Sequence, residues 1–372
     1  MNDYTAAAMR IALLGAGHIG QTIARLLHGT GDYRVTVMDR SAEALARLAA
    51  EGIATQQVDT ESQPALAAAL RGNDAVLNAL PYHLAIPAAQ MALETGCHYF
   101  DLTEDVAATK AIMKMAEGAR TAFMPQCGLA PGFIGIVAHH LAKRFDTLQD
   151  VKMRVGALPA FPTNALKYNL TWSVDGLINE YCHPCEAIHD GERIDALPLE
   201  GLEHFSLDGT EYEAFNTSGG LGTLCETLSG RVRNLDYKTV RYPGHRDLMV
   251  FLLGDLGLKS DQETLKNIMR KSMPATMQDV VLVFVTVSGM KGGALMQEVF
   301  ARKIFAERDE AHPLSAIQIT TAAGICAALD LFREGKLPQR GFIRQEQVEL
   351  PDFLANRFGR AYQQSRQVES IG

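Results

Sequence analysis

Along the chain the apolar positions change rhythm several times, and each change marks an element. Ile11 to Leu14 is an unbroken apolar run, as a strand buried on both faces requires. It gives way to Gly15-Ala16-Gly17-His18-Ile19-Gly20, then to a helical pattern through Ala24, Leu26 and Leu27. The alternation repeats. "RVTVMDR" predicts a second strand ending at Asp39, and Ser41 is placed to cap a helix through Leu48. "IATQQVD" predicts a third strand ending at Asp59, followed by a helix from Pro64 to Leu70, a strand "DAVLNAL" and a helix from Leu84 to Glu94. "CHYFDL" is the fifth strand, Val106 to Gly118 a helix and "TAFMP" the sixth strand. Six strands alternating with helices predict an α/β fold, a Rossmann-type doubly wound parallel sheet.

After the apolar, helix-like "FIGIVAHHLAKRF" the grammar changes to mixed strands and helices. "VKMRVGAL" reads as a strand, and "YNLTWSVDGLINEY" as a strand or loop entering a helix. "HDGER" and "LDGTE" carry the Asp-Gly signature of tight hairpins. "YKTVRYPGH" is a strand ending in a loop, with helical patterns following over 247–256 and 262–271. "QDVVLVFVTVSG" is apolar enough for an interior strand, whereas "ALMQEVFARKIFAE" suits an outer one. "SAIQITTAAGICAALDLFREGKL" predicts a long buried helix packing back on the first domain. The expected organisation is a Rossmann domain, 1–127 plus 312–372, around a second, α+β domain, 128–311. No repeat or low-complexity linker separates them. The first residues, "MNDYTAAAMR", are expected to be a short tail before the first strand.

The glycine loop carries the first chemistry. Gly15 suits the tight turn, Gly17 lets backbone approach a pyrophosphate, and Gly20 allows the helix to pack closely on the strand. The amides at His18 and Ile19 open a helix whose positive end faces the phosphates. Asp39 stands 24 residues after Gly15. There its carboxylate can accept hydrogen bonds from the ribose hydroxyls and repel a 2′-phosphate, which favours NAD over NADP. Arg40 is the neighbour able to accommodate that phosphate, and Asp59 ends the third strand at the same edge. In such sheets the ligand lies beyond the carboxyl ends of the strands. "NALPYH", with Asn78, Ala79, Leu80 and Pro81, "DLTED" and "QCGLAPG", with Gly128, are therefore the neighbours of the nicotinamide end.

Composition adds exclusions. The net charge of −8 gives no basic footprint for nucleic acid, and no apolar run predicts a membrane span. The amino terminus lacks signal-peptide features. Six cysteines, at 97, 127, 182, 185, 225 and 326, in a chain without a secretion signal read as reduced thiols in a cytoplasmic protein. "CHPC" at 182–185 is one pair only, too few ligands for a tetrahedral metal site, so no metal is expected.

"GAGHIG", "HYFDLTEDV", "PQCGLAPGFI", "ALPAFPTNALKYNLTWSVDGLINEY", "AFNTSGGLGTLCETL" and "TVRYPGH" resemble the saccharopine dehydrogenase family over nearly the full chain, and within it the bacterial L-lysine 6-dehydrogenases. The resemblance implies NAD-dependent oxidation of the lysine ε-amine to an imine. Hydrolysis then gives 2-aminoadipate 6-semialdehyde, which cyclises to 1-piperideine-6-carboxylate. It also implies that the α+β domain supplies much of the substrate pocket and the contact of a homodimer. The rival within the family is a saccharopine dehydrogenase or reductase. The rival from another class is a non-catalytic NAD(H)-binding sensor or scaffold.

Amine oxidation needs a clamp for the α-carboxylate and a group that handles the ammonium proton and the water. Asp101, at a strand end, either meets the substrate ammonium or orients a base, or is a structural carboxylate. Thr103, a further pocket candidate, precedes a helix together with Glu104 and Asp105, and all three suit capping. Cys127 is either an acid/base or a pocket wall. Arg241 and His245 in "VRYPGH" look like the substrate end, the first a bidentate carboxylate clamp and the second a titratable group, or else are an ordinary surface arginine and a satisfied loop histidine. Lys167, Tyr168 and Asn169, with Asn216 and Thr217, supply further polar groups for substrate. Trp172 reads as core or pocket wall.

Overall fold

In the computed structural model, which describes residues 7–306 and 313–363, the early apolar runs become one parallel sheet. The strands are β1 (Met9–Leu14), β2 (Tyr33–Asp39), β3 (Ala54–Gln57), β4 (Ala75–Asn78), β5 (His98–Asp101) and β6 (Ala122–Met124). The helices between them are α1 (His18–His28), α2 (Ala42–Ala50), α3 (Gln63–Leu70), α4 (Ala85–Thr95) and α5 (Val106–Met115). Sheet order is β6-β5-β4-β1-β2-β3, with a seventh strand, Gly341–Phe342, beside β6. Helices on both faces explain the unbroken apolar runs: Ile11 to Leu14 and Ala75 to Leu77 are fully buried. The register pairs Leu14 with both Met38 and Asn78, and Asn78 with Asp101, so the glycine loop and the mouth loops leave the same edge.

Two expectations change here. The third strand stops at Gln57, so Asp59 lies beyond it on the surface. The seventh strand was not foreseen. Two residues in a Gly/Pro-rich stretch carry no periodicity, and the pairing is set by backbone donations from Gly341 to Thr121 and from Ile343 to Phe123.

The chain divides into two compact units, the first comprising residues up to Gly128 with Thr321–Val348 and Ala355–Gly359, the second Leu129–Thr320 with Glu349–Leu354 and the described residues from Arg360 on. The expected tail at 1–6 and the expected boundary at 311/312 lie outside the described residues.

In the second unit the chain continues through α6 (Phe133–Ala142), β7 (Thr147–Pro159), α7 (Val174–Cys182), β8 (Cys185–His189), β9 (Glu192–Ala196), β10 (Glu203–Leu207), β11 (Thr210–Asn216) and α8 (Leu224–Leu228). Next come β12 (Val232–Arg241), α9 (His245–Val250), α10 (Gln262–Ser272), β13 (Asp279–Lys291) and β14 (Ala294–Phe305). The sheet runs β10-β11-β12-β7-β13-β14, with β8 joined to β12 and carrying β9. β13 is interior and β14 an edge, as their patterns predict. Both Asp-Gly pairs turn hairpins with left-handed backbone, φ +48° and +87° at Asp190-Gly191 and +50° and +74° at Asp208-Gly209. The helical pattern at 247–256 begins as α9 and ends in a π-helical turn, Phe251–Asp255. Ala316–Arg333 is the predicted long helix. It is long and apolar enough to cross a membrane by composition alone, but 83% of it is buried in the fold, which makes it a core helix.

Candidate active site

The glycine loop is built to leave one side open. Gly15 holds φ +100°, and a Cβ there would lie 2.9 Å from the Ala79 carbonyl oxygen. A Cβ on Gly20 would come within 1.9 Å of the Gly15 carbonyl oxygen, so helix and loop pack with no room for a side chain. Gly17 is the opposite case, with nothing within 4 Å of its would-be Cβ. Gly17 also caps α1 without any side-chain hydrogen bond, and the first turn contains no acid. His18 is exposed and Ile19 half-buried at that end. Uncapped amides, a positive helix end and an open backbone fit a dinucleotide pyrophosphate.

Asp39 laces this loop to its strand. Its Oδ2 accepts from the Ala16 amide at 2.7 Å and its Oδ1 from the Ser41 amide at 2.8 Å. Each oxygen keeps a lone pair for a ribose hydroxyl. Arg40 points into solvent and pairs with Glu61 at 3.1 Å. Asp59 is exposed and accepts from the Glu61 amide. Asn78 is buried, donating to the Tyr99 hydroxyl and accepting from the Leu80 amide. Ala79 and Leu80 are half-buried and Pro81 exposed beside the loop.

The mouth loops answer the question of Asp101 and Cys127. Asp101 is 1% exposed. Its Oδ1 accepts from the amides of Thr103 (3.0 Å) and Gln126 (2.8 Å), and its Oδ2 from the Tyr99 hydroxyl (2.9 Å). Burial pushes its carboxyl up to about 6, against the pull of those donors. The side chain holds two loops together, which supports the structural-carboxylate reading of the two the sequence leaves open. Cys127 is equally buried. Its thiol donates to the Met124 carbonyl at 3.1 Å and accepts from Gln345 at 3.3 Å, and burial raises its pKa far above the usual thiol range. That is a neutral wall, not an acid/base. A Cβ on Gly324 of the long helix would lie 2.5 Å from the Cys127 carbonyl and 3.0 Å from that of Gly128, so this loop is pinned from behind. Cys127→Ser, which keeps the donation to Met124, is expected to cost less than about tenfold in kcat. A lost limb in its pH–rate profile would return proton transfer to Cys127.

Glu104 is the residue the sequence undervalued. Of the three acids and one threonine in "DLTED", Asp105 caps α5 through the Ala108 amide at 2.6 Å, and Thr103 accepts from the Asp105 amide. Glu104 caps nothing. It is half-buried with no ion pair among the described residues, and desolvation, aided by Asp105 and Asp101, pushes its carboxyl up to about 7. A carboxylate kept partly dry with only its own backbone amide and no cation beside it among the described residues is costly, as functional groups often are.

The second unit carries a buried cation. Arg241 closes β12, is 2% exposed, and has no carboxylate within ion-pair distance among the described residues. Its Nε donates to the Tyr181 hydroxyl at 3.0 Å and its Nη1 to the Val240 carbonyl at 2.8 Å. The guanidinium lies 5.1 Å from the Tyr168 ring centre and 5.9 Å from that of Tyr181. His245 is fully buried, with both ring nitrogens engaged by Tyr181 and the Leu166 carbonyl. Burial first, then Arg241, drives its pKa down to about 3. It is therefore neutral and inaccessible, which corrects the titratable role expected of it.

The remaining substrate candidates divide. Thr217 is buried with an unpartnered hydroxyl, whereas Asn216 donates to the Leu197 carbonyl. Asn169 is buried beside Asn164, and exposed Lys167 donates to the Pro243 carbonyl. Trp172 packs at the edge of the apolar cluster around Tyr168 and Leu177. Cys182 and Cys185 are buried free thiols, and no group of three metal-ligating side chains occurs among the described residues.

Residues 11–123 match the family described as the saccharopine dehydrogenase NADP binding domain, and residues 128–359 match the saccharopine dehydrogenase C-terminal domain. Among solved structures, the apo saccharopine dehydrogenase (L-Glu forming) from Saccharomyces cerevisiae is similar at 17% identity and TM-score 0.76, covering 93% of this chain and 96% of that one. That likeness shows a shared fold. A myo-inositol dehydrogenase from Corynebacterium glutamicum aligns at 15% identity and TM-score 0.45 over 96% and 97% of the two chains. With two family domains matched end to end over a dinucleotide-binding sheet, the chain belongs to the saccharopine dehydrogenase family of nicotinamide-dinucleotide-dependent oxidoreductases.

Proposed function

We propose that this protein oxidises the ε-amine of L-lysine with NAD, giving 2-aminoadipate 6-semialdehyde and, by cyclisation, 1-piperideine-6-carboxylate. The observation that carries this reading is Arg241: a buried, tyrosine-stacked guanidinium with no carboxylate in ion-pair contact among the described residues, although Glu180 acts on it through space, suits a ligand's carboxylate. Arg241 is assigned the α-carboxylate. Glu104 is assigned the ε-ammonium proton, since its carboxyl, pushed up to about 7, exchanges protons near neutrality. Bound nicotinamide dinucleotide supplies the hydride acceptor. Once the imine has formed, the same carboxylate, having passed on its proton, can deprotonate the attacking water. Asp101 and Cys127 keep the mouth loops in place. A screen of lysine, ornithine and saccharopine with either cofactor tests the proposal. Lysine should dominate; preferential turnover of saccharopine would assign the larger substrate, and turnover of none would favour a binding protein.

Asp39 supports the cofactor choice. NAD is expected to be preferred over NADP by at least about tenfold, through lost ribose hydrogen bonds and 2′-phosphate repulsion. Asp39→Ala should narrow that gap. It should also weaken NAD itself, because the Ala16 and Ser41 amides lose their acceptor. Equal efficiency with both cofactors in the parent would hand this end to Arg40.

A further inference from the structure

The buried chain from Leu166 to Arg241 has a fixed direction. The Leu166 carbonyl can only accept, so His245 Nδ1, 2.9 Å away, carries the ring proton. The imidazole is neutral, which leaves a lone pair on Nε2 facing the Tyr181 hydroxyl at 3.1 Å. Tyr181 must therefore donate its single proton to His245. Its oxygen then turns a lone pair to Arg241 Nε, 3.0 Å away. The groups around the imidazole agree: Phe215 stacks on it at 6.3 Å, Tyr168 and Tyr181 flank it at 5.4 and 6.0 Å, the Arg241 cation opposes protonation, and the Glu213 carboxylate is taken up by the amides of Gly244 and Arg246.

With Nε held by Tyr181 and Nη1 by Val240, the guanidinium plane is fixed, and its Nη2 makes no hydrogen bond among the described residues. We propose that His245 is a positioning residue: by fixing the proton direction of Tyr181 it orients the Arg241 fork for a carboxylate. This rests on the reading of Arg241 as the carboxylate clamp. A reversed Tyr181 hydroxyl would aim its proton at a cation that has no lone pair to receive it.

Three measurements test it. In the parent protein, ¹⁵N-labelled histidine should show one imidazole, identified by its disappearance in His245→Gln, as the neutral Nδ1–H tautomer across pH 5–8. Titration in that window, or the Nε2–H tautomer, overturns the proposal without recourse to activity. His245→Leu and Tyr181→Phe should raise KM for the amino acid about tenfold while kcat and cofactor affinity change little. His245→Gln, whose amide oxygen can still accept from Tyr181, should recover most of the loss. In an Arg241→Ala background, His245→Leu should add less than about twofold. An unchanged KM in His245→Leu, or a fully additive loss in the double variant, refutes the orienting role. If Arg241→Ala alone leaves KM untouched, the clamp reading fails instead, and the NMR result still decides the tautomer. Should His245→Leu not fold, Tyr181→Phe and the parent spectrum carry the test.

Discussion

Arg241→Ala should lower kcat/KM for the amino-acid substrate by about 2–4 kcal/mol, the worth of a charge-assisted bidentate pair in a dry site. The loss should fall on the amino acid and leave cofactor affinity nearly unchanged. Stability should be affected less than for most buried arginines. Truncating one half of a buried ion pair strands a charge, but Arg241 makes no ion-pair contact among the described residues, and what it leaves behind is the Tyr181 hydroxyl and, through space, the Glu180 carboxylate. Arg241→Lys should also be poor. An ammonium cannot copy the planar fork, cannot hold Tyr181 and Val240 together while offering a donor to substrate, and loses the stacking on Tyr168. Full lysine turnover in either variant, or loss of cofactor binding before substrate binding, would remove Arg241 from the substrate site.

How much of this was legible in advance depended on which interactions are local. The strands of the first sheet announce themselves because burial on both faces demands continuous apolar runs such as Ile11 to Leu14. The Asp-Gly hairpins are readable because their turns need left-handed backbone at both central positions. The glycine loop is readable for the same kind of reason: each glycine answers a specific steric demand. Side-chain roles at the mouth were not. "DLTED" offers several oxygens to one helix end, and only the path of the backbone shows that Asp105 takes the cap and Glu104 is left over. Asp101 ends its strand as the pattern predicts, but beside its local donors Tyr99 and Thr103 it holds the Gln126 amide 25 residues away, beyond any local pattern. For His245 the loop sequence allows both a titrating group and a satisfied loop histidine, and only burial against Tyr181 and Leu166 makes it a fixed acceptor.

Glu104→Gln should be the most damaging conservative change at the mouth of the first sheet. Loss of a general base costs about 10²- to 10⁴-fold in rate, and the pH dependence should identify the cause. In the parent, the carboxylate form is needed to take the ammonium proton, so kcat/KM should rise with pH through about 7, where burial and the neighbouring Asp105 and Asp101 have pushed this group. In Glu104→Gln that limb should vanish. Residual activity should keep climbing toward the ammonium's own pKa of about 10.4, as water and hydroxide remove the proton unaided. Stability should move the other way. A carboxyl whose folded pKa lies above its unfolded value binds its proton more tightly in the native state, so its contribution is present at low pH and is lost as pH rises through 7. Glutamine removes that loss. Allowing for the solvent that reaches a half-buried side chain, the variant should gain about 1–2 kcal/mol on the parent between pH 4 and pH 8. Thermal melts at the two pH values measure this independently of turnover. A Glu104→Gln enzyme that keeps both its rate and the limb near 7 would leave the base elsewhere; one that is slow but gains nothing at pH 8 would show that the carboxyl was never strained.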